Sequence, residues 1–109
     1  MNDVRPLLDR IHDFLRSVDA KLGVDKAFLF GSTAKGNRLV DSDVDIIVVS
    51  KAFASMPMPK RLGLLQKEWN HREELQALAY TPEEFSRVSK RLTMKEILAY
   101  AVDLTKDLK

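Results

Sequence analysis

Two aspartates, Asp43 and Asp45, stand two residues apart at the start of an apolar stretch. The stretch is rich in β-branched residues and predicts a strand, so both carboxylates point to one face of it. Two like charges about 7 Å apart along a strand repel each other, and a divalent cation bound between them removes the repulsion. Paired carboxylates that hold Mg²⁺ on substrate phosphates are a common arrangement. Taken alone, the pair also fits a solvated strand end at which Ser42 and Asp43 form a turn.

A polar loop that contains glycine precedes the aspartates, over residues 31–41. Gly31 follows a short apolar run, and a glycine there permits unusual backbone angles or the close approach of a ligand. Ser32 offers a hydroxyl and Lys35 a positive charge, and the N–H groups of the loop can bind an anion if a helix begins here. Taken alone, the loop also fits an ordinary strand-to-helix turn.

Two other phosphate and metal motifs are excluded because residues that they require are absent. Gly31 and Gly36 have the spacing of a P-loop, but Asn37 stands where that motif needs its lysine. The aspartates at positions 41, 43 and 45 resemble the opening of an EF-hand loop, but the sixth position is Ile46 instead of glycine.

The loop and the aspartates together form a more specific pattern. It reads Gly-Ser-x-Ala-Lys-Gly from Gly31, then five residues, then Ser-Asp-x-Asp ending at Asp45. This pattern resembles the signature of the minimal nucleotidyltransferases, small members of the DNA-polymerase-β-like nucleotidyltransferase superfamily. The segment Tyr-Thr-Pro-Glu-Glu-Phe from Tyr80 is similar to the one that follows the third core strand in that family. Lys35 stands where arginine is commoner, which keeps the charge but loses the planar fork.

The resemblance implies a site, a metal and a substrate. Gly31 and Ser32 would hold the β- and γ-phosphates of a nucleoside triphosphate, with Lys35 in the same nucleotide-binding loop. Asp43 and Asp45 would be the catalytic residues and would hold Mg²⁺. The implied reaction moves a nucleoside monophosphate, AMP from ATP, to a hydroxyl acceptor and releases pyrophosphate.

The resemblance also implies a partner, and one departure from the family pattern raises an alternative. Small relatives resemble the antitoxin half of toxin–antitoxin pairs, whose partner is a helical HEPN-domain protein with a tyrosine hydroxyl as acceptor. The family's third carboxylate is replaced here by Gln76, whose amide carries no charge and cannot act as a base. Glu74 and Asp41 are candidate helpers. The second hypothesis is therefore a catalytically impaired antitoxin or binding module of the same fold that acts by direct contact.

Hydrophobic spacing indicates the elements that position these residues. An apolar stripe predicts a helix over residues 5–22, and helical spacing predicts another over residues 61–74. Apolar runs predict strands over residues 27–30, 44–49 and 75–80. Capping patterns predict helix starts at Thr81 and Thr93, with the last apolar stripe continuing to Leu108. The order predicts a small α/β (α+β) domain over residues 1–109, with a three-stranded mixed sheet flanked by helices.

Composition narrows the class of protein further. The chain has 109 residues and no cysteine, which excludes disulfides and zinc sites built on thiolates. Its 18 Lys and Arg against 16 Asp and Glu give a net charge of +2, too small to indicate nucleic acid. No apolar run is long enough to cross a membrane, and the first six residues lack the core of a signal peptide. We therefore expect a cytoplasmic protein. The sequence does not decide whether the protein forms a homo-oligomer.

Overall fold

A computed structural model of the protein describes residues 5–30 and 44–108. These residues form α1 (Arg5–Leu22), β1 (Lys26–Phe30), β2 (Val44–Val49), α2 (Met58–Glu68), β3 (Leu75–Tyr80), α3 (Pro82–Val88), α4 (Leu92–Ala99) and β4 (Val102–Asp103). Two short 3-10 helices, Lys51–Ser55 and Thr105–Leu108, follow β2 and β4. The predicted mixed α/β class is confirmed.

The sheet has four strands in the order β3-β2-β1-β4, so the prediction of three strands is wrong by one. β2 runs parallel to β3 and antiparallel to β1, and the short β4 pairs antiparallel with β1. The prediction that the last apolar stripe continues the helix to Leu108 is also wrong, because α4 ends at Ala99 and the chain then forms β4. After α4 the backbone N–H of Leu104 donates to the carbonyl of Ala27 at 2.9 Å, which holds this segment against the sheet edge.

Helices cover both faces of the sheet. The central strand β2 is apolar along most of its length because both of its faces are buried. On one face, α1 and α2 pack against the first strand residue Val44 and its alternate neighbours. On the other face, α3 and α4 pack against Ile47 and Val49. No helix within the two described ranges is long and apolar enough to span a bilayer.

The first helix ends where the sequence predicts. The five apolar side chains of its inner face are buried, and they recur at helical spacing: Leu7, Ile11, Phe14, Leu15 and Val18. Gly23 stands one residue past the helix with a φ of 76°, a conformation that disfavours residues with a Cβ. Its N–H donates to the carbonyl of Asp19 at 2.9 Å.

The second helix begins and ends earlier than the predicted 61–74. It starts at Met58 because Pro57 has an extended backbone at the N-cap and Pro59 fits the first turn, where its missing N–H costs no hydrogen bond. It ends before Trp69, whose indole N–H donates to the carbonyl of Glu73 at 2.6 Å. Trp69 is buried against Phe14.

One of the two predicted helix caps is confirmed. The Thr81 hydroxyl accepts from the N–H of Glu84, and the Glu84 carboxylate accepts from the N–H of Thr81, forming a capping box. The predicted cap at Thr93 is wrong: α4 begins one residue earlier, and its N-cap, Arg91, makes no side-chain cap.

The capping box is tied to α2 by a buried arginine. Arg61 donates to both carboxylate oxygens of Glu84, at 2.6 and 3.3 Å, and to the carbonyls of Ala79 and Met56 at 3.2 and 2.9 Å. The Arg61 hydrogen bonds, followed by the backbone N–H of Thr81, lower the pKa of Glu84 to about 2. The pair therefore fixes the start of α3 against the end of β3.

We expect the stability of the protein to fall in acid because of Glu84. Its pKa is lower in the folded chain than its ordinary value of 4.5, so its stabilisation is complete above pH 4.5 and is lost towards pH 2. Glu84→Gln should reduce the free energy of unfolding at pH 7 by about 1–2 kcal/mol and flatten this acid slope. Urea unfolding at a series of pH values measures both. Glu83→Gln is the control, since Glu83 is exposed and lies outside the Arg61 contact; an equal slope in both variants would contradict the assignment.

Candidate active site

Asp45 is the one charged side chain of β2. It is the second residue of the strand and is half-buried, whereas the other five residues of β2 are buried. Because side chains alternate along a strand, Asp45 shares a face with Ile47 and Val49. That is the face covered by α3 and α4.

A concavity lies at the Asp45 end of this face. Its volume is about 430 Å³, and the described residues that line it are Phe30, Asp45, Gln76, Ala77 and Leu78. Phe30 and Leu78 also pack against the apolar cluster beneath α3 and α4. The Asp45 carboxylate thus lies at the boundary between the apolar cluster and the concavity.

Strand register brings Gln76 beside Asp45. Asp45 lies opposite Gln76 in the parallel β2–β3 pair and opposite Phe30 in the antiparallel β1–β2 pair. Opposed residues of neighbouring strands point to the same face of a sheet. The replaced third-carboxylate position is therefore in the same site as Asp45.

Glu74, a predicted substitute for the missing third carboxylate, lies two residues before Gln76. The Gln76 amide donates to the Glu74 carboxylate at 3.4 Å, a long hydrogen bond between two exposed side chains. The carbonyl of Glu74 accepts from the N–H of Val44 at 2.8 Å, which ties the start of β3 to the start of β2. Glu74 therefore stands one pleat beyond Gln76 at the same end of the sheet.

Four predicted site residues, Gly31, Ser32, Lys35 and Asp43, lie outside the described residues, as does the predicted helper Asp41. The described chain leaves β1 at Phe30, one residue before Gly31, and Phe30 is the strand partner of Asp45. Their roles stay predictions.

Comparison with known proteins gives the family. The sequence model of the nucleotidyltransferase domain family matches residues 11–105. The chain belongs to that family. The fold is similar to the crystal structure of a Sulfolobus solfataricus protein proposed to be a nucleotidyltransferase, with a TM-score of 0.60 over 73% of this chain and 71% of that chain. The two sequences are 23% identical, so this likeness supports the fold alone. No curated protein matches the sequence significantly.

The described residues of this nucleotidyltransferase domain offer oxygen donor atoms, the kind of ligand that a hard cation such as Mg²⁺ prefers. These donors include the carboxylate oxygens of Asp45 and the carbonyl oxygen of the Gln76 amide. Among residues 5–30 and 44–108, however, no three His, Cys, Asp or Glu side chains come together as metal ligands. A metal held by carboxylates therefore needs a further ligand, and Asp43 is the predicted one.

The sequence did not identify the walls of the concavity. Phe30, Ala77 and Leu78 lie in predicted strands, but their place around Asp45 depends on how those strands pair. The alternation of Phe28 and Phe30 signals that both side chains share a face. It does not signal that Phe30 lies opposite Asp45.

Proposed function

We propose that this nucleotidyltransferase domain catalyses the Mg²⁺-dependent transfer of a nucleoside monophosphate, AMP from ATP, to a hydroxyl acceptor. The observation that carries the proposal is the half-buried Asp45, which faces a concavity at the sheet end where the family pattern expects catalytic carboxylates. The family match over residues 11–105 supports nucleotidyl transfer in general.

Each proposed role follows from the chemistry of the side chain. Gly31 and Ser32 bind the β- and γ-phosphates through backbone N–H groups and a hydroxyl, and Lys35 adds a positive charge to that loop. Asp43 and Asp45 hold Mg²⁺ and orient the reacting groups. When bound, the ion stabilises negative charge at the reacting phosphorus.

The proposed acceptor is a tyrosine hydroxyl of a HEPN-type helical protein, the toxin of a two-protein pair. This assignment rests on the resemblance of the Gly-Ser and Asp-x-Asp pattern to small antitoxin-type relatives. A gene for a small helical protein beside the gene for this chain would support it. The acceptor test is the transfer of labelled AMP to that protein when both are purified together.

A second candidate function is neutralisation of the partner by contact without catalysis. The neutral amide of Gln76 beside Asp45 favours it, because a carboxylate at that position would add a charged metal ligand and a base. Wild-type protein that binds the partner, yet transfers no label with ATP and Mg²⁺, would establish this second function.

Calorimetric titration of ATP, with and without Mg²⁺, tests the nucleotide site. Gly31→Val should weaken ATP binding more than Lys35→Ala does. A β-branched side chain blocks the approach of phosphate to the backbone, whereas the loss of Lys35 removes one charge that salt partly screens. Circular dichroism must show that both variants are folded. The reverse ranking would argue against a phosphate-binding loop.

A further inference from the structure

Four cations occur within nine residues of the helical layer that covers the Asp45 face: Arg87, Lys90, Arg91 and Lys95. All four are exposed, and none forms an ion pair with a residue that the structure describes. No acidic residue occurs between Arg87 and Lys95, and the exposed Glu83 and Glu96 flank this stretch. Because the whole chain carries only +2, the rest of it is net negative.

The α1 surface is different, since three of its cations have acidic partners. Arg10 pairs with Glu73, Arg16 lies 3.3 Å from Asp13, and Lys21 lies 2.7 Å from Glu68. The two surfaces therefore differ in pairing: three cations of α1 have acidic partners, whereas the four cations of the α3–α4 surface have none among the described residues.

The backbone keeps the four cations close together. The N–H of Lys90 bonds to the carbonyl of Arg87 at 3.3 Å, and the N–H of Lys95 bonds to the carbonyl of Arg91 at 2.9 Å. Side chains one helical turn apart are neighbours, and like charges at that spacing repel and destabilise a helix. A polyanion bound across the α3–α4 surface would remove the repulsion.

Two large side chains indicate which polyanion suits this surface. Leu92, the first residue of α4, is 73% exposed, and Tyr100, directly after α4, is 63% exposed. Unpaired nucleobases stack on aromatic and apolar side chains, whereas a duplex keeps the faces of its bases stacked inside. An acidic protein segment supplies charge but no bases to stack.

We propose that the α3–α4 surface, defined by Arg87, Lys90, Arg91, Lys95, Leu92 and Tyr100, binds single-stranded nucleic acid. The cations contact successive phosphates, and the two exposed side chains contact bases. None of the six residues is among the described residues that line the Asp45 concavity.

Fluorescence anisotropy of a labelled 20-nucleotide oligouridine, measured without ATP or Mg²⁺ over a range of salt concentrations, tests the proposal. The double variant Lys90→Gln/Arg91→Gln should bind roughly tenfold more weakly at 0.1 M salt. The slope of log affinity against log salt should fall by about 1.4, since each phosphate contact on a single strand contributes about 0.7. Tyr100→Ser should weaken binding about fivefold or more with an unchanged slope, because stacking releases no counterions.

The matched control is Lys60→Gln/Lys67→Gln, which removes the same charge from exposed positions of α2 in the opposite layer. It should leave affinity and slope close to wild type. Equal losses in the two double variants would mean that net charge alone attracts the oligonucleotide, and would overturn the proposal. Equally tight binding of a 20-base-pair duplex, or displacement of oligouridine by polyglutamate of equal charge, would overturn the assignment to a single strand.

Discussion

Replacing Asp45 by asparagine is expected to lower Mg²⁺-dependent ATP binding and to abolish nucleotidyl transfer. Asparagine keeps the size of the side chain but removes the negative charge, the property that binds the cation most strongly. A metal ion stabilises the transition state of such a reaction by several kcal/mol, so the rate should fall more than about 100-fold. Calorimetry with and without Mg²⁺ measures binding, and label transfer from α-labelled ATP measures the rate. Asp43→Asn should behave in the same way.

The stability of the Asp45→Asn variant separates a lost ligand from a damaged fold. The two wild-type aspartates repel each other when no cation is present, so the melting temperature in chelator should be unchanged or slightly higher. Asp9→Asn is the control, because Asp9 is exposed on α1 in the opposite layer. Wild-type ATP affinity in both Asp43→Asn and Asp45→Asn would rule out the proposed metal site.

The elements that follow from local pattern were predictable from the sequence. The bounds of α1, β2 and β3 agree with the predicted residues, and β1 extends one residue further. In each case a continuous apolar stripe or run, bounded by glycine or polar residues, specifies the element without reference to distant parts of the chain. The capping box at Thr81 was predictable for the same reason.

The elements that depend on distant contacts were not predictable. β4 has two residues, and Val102 and Asp103 are extended because they pair with β1. The apolar spacing of Leu104 therefore resembled the continuation of a helix, although Leu104 is buried against the first core cluster from a non-helical segment. The early end of α2 likewise depends on the indole hydrogen bond from Trp69 to Glu73.

The candidate site also has one part that was predictable from local sequence and one part that depends on how the strands pair. The sequence predicted Asp45 because its spacing from Asp43 and from the Gly31 loop carries chemical meaning. That Gln76 lies opposite Asp45 depends on parallel pairing across an intervening helix, and strand order and register over such a distance are set by the assembled core.

Replacing Gln76 by aspartate is expected to affect stability in opposite directions with and without Mg²⁺. Because Gln76 lies opposite Asp45 on the same face, the substitution places a further carboxylate in the proposed metal site. Without metal, carboxylates that share one site repel, so the melting temperature in chelator should fall. With Mg²⁺, the added charged ligand strengthens cation binding, so the rise in melting temperature should exceed that of wild type.

The same substitution distinguishes the two candidate functions. An added carboxylate can accept the proton from the attacking hydroxyl as well as bind the cation. If the wild type is an impaired enzyme, transfer of labelled AMP to the partner should increase in Gln76→Asp. If the chain acts by contact alone, transfer should stay absent while partner binding is retained.

Ser86→Asp is the control for the stability measurement, because it adds the same charge at an exposed position of α3, away from the residues that line the Asp45 concavity. Its melting temperature should respond to Mg²⁺ as wild type does. The response of Gln76→Asp is then specific to the position beside Asp45. A Gln76→Asp protein whose melting temperature rises with Mg²⁺ no more than those of wild type and Ser86→Asp would mean that the carboxylate at position 76 does not reach the cation. In that case Gln76 does not share the metal site with Asp45, and the alignment of this strand with the family pattern is wrong.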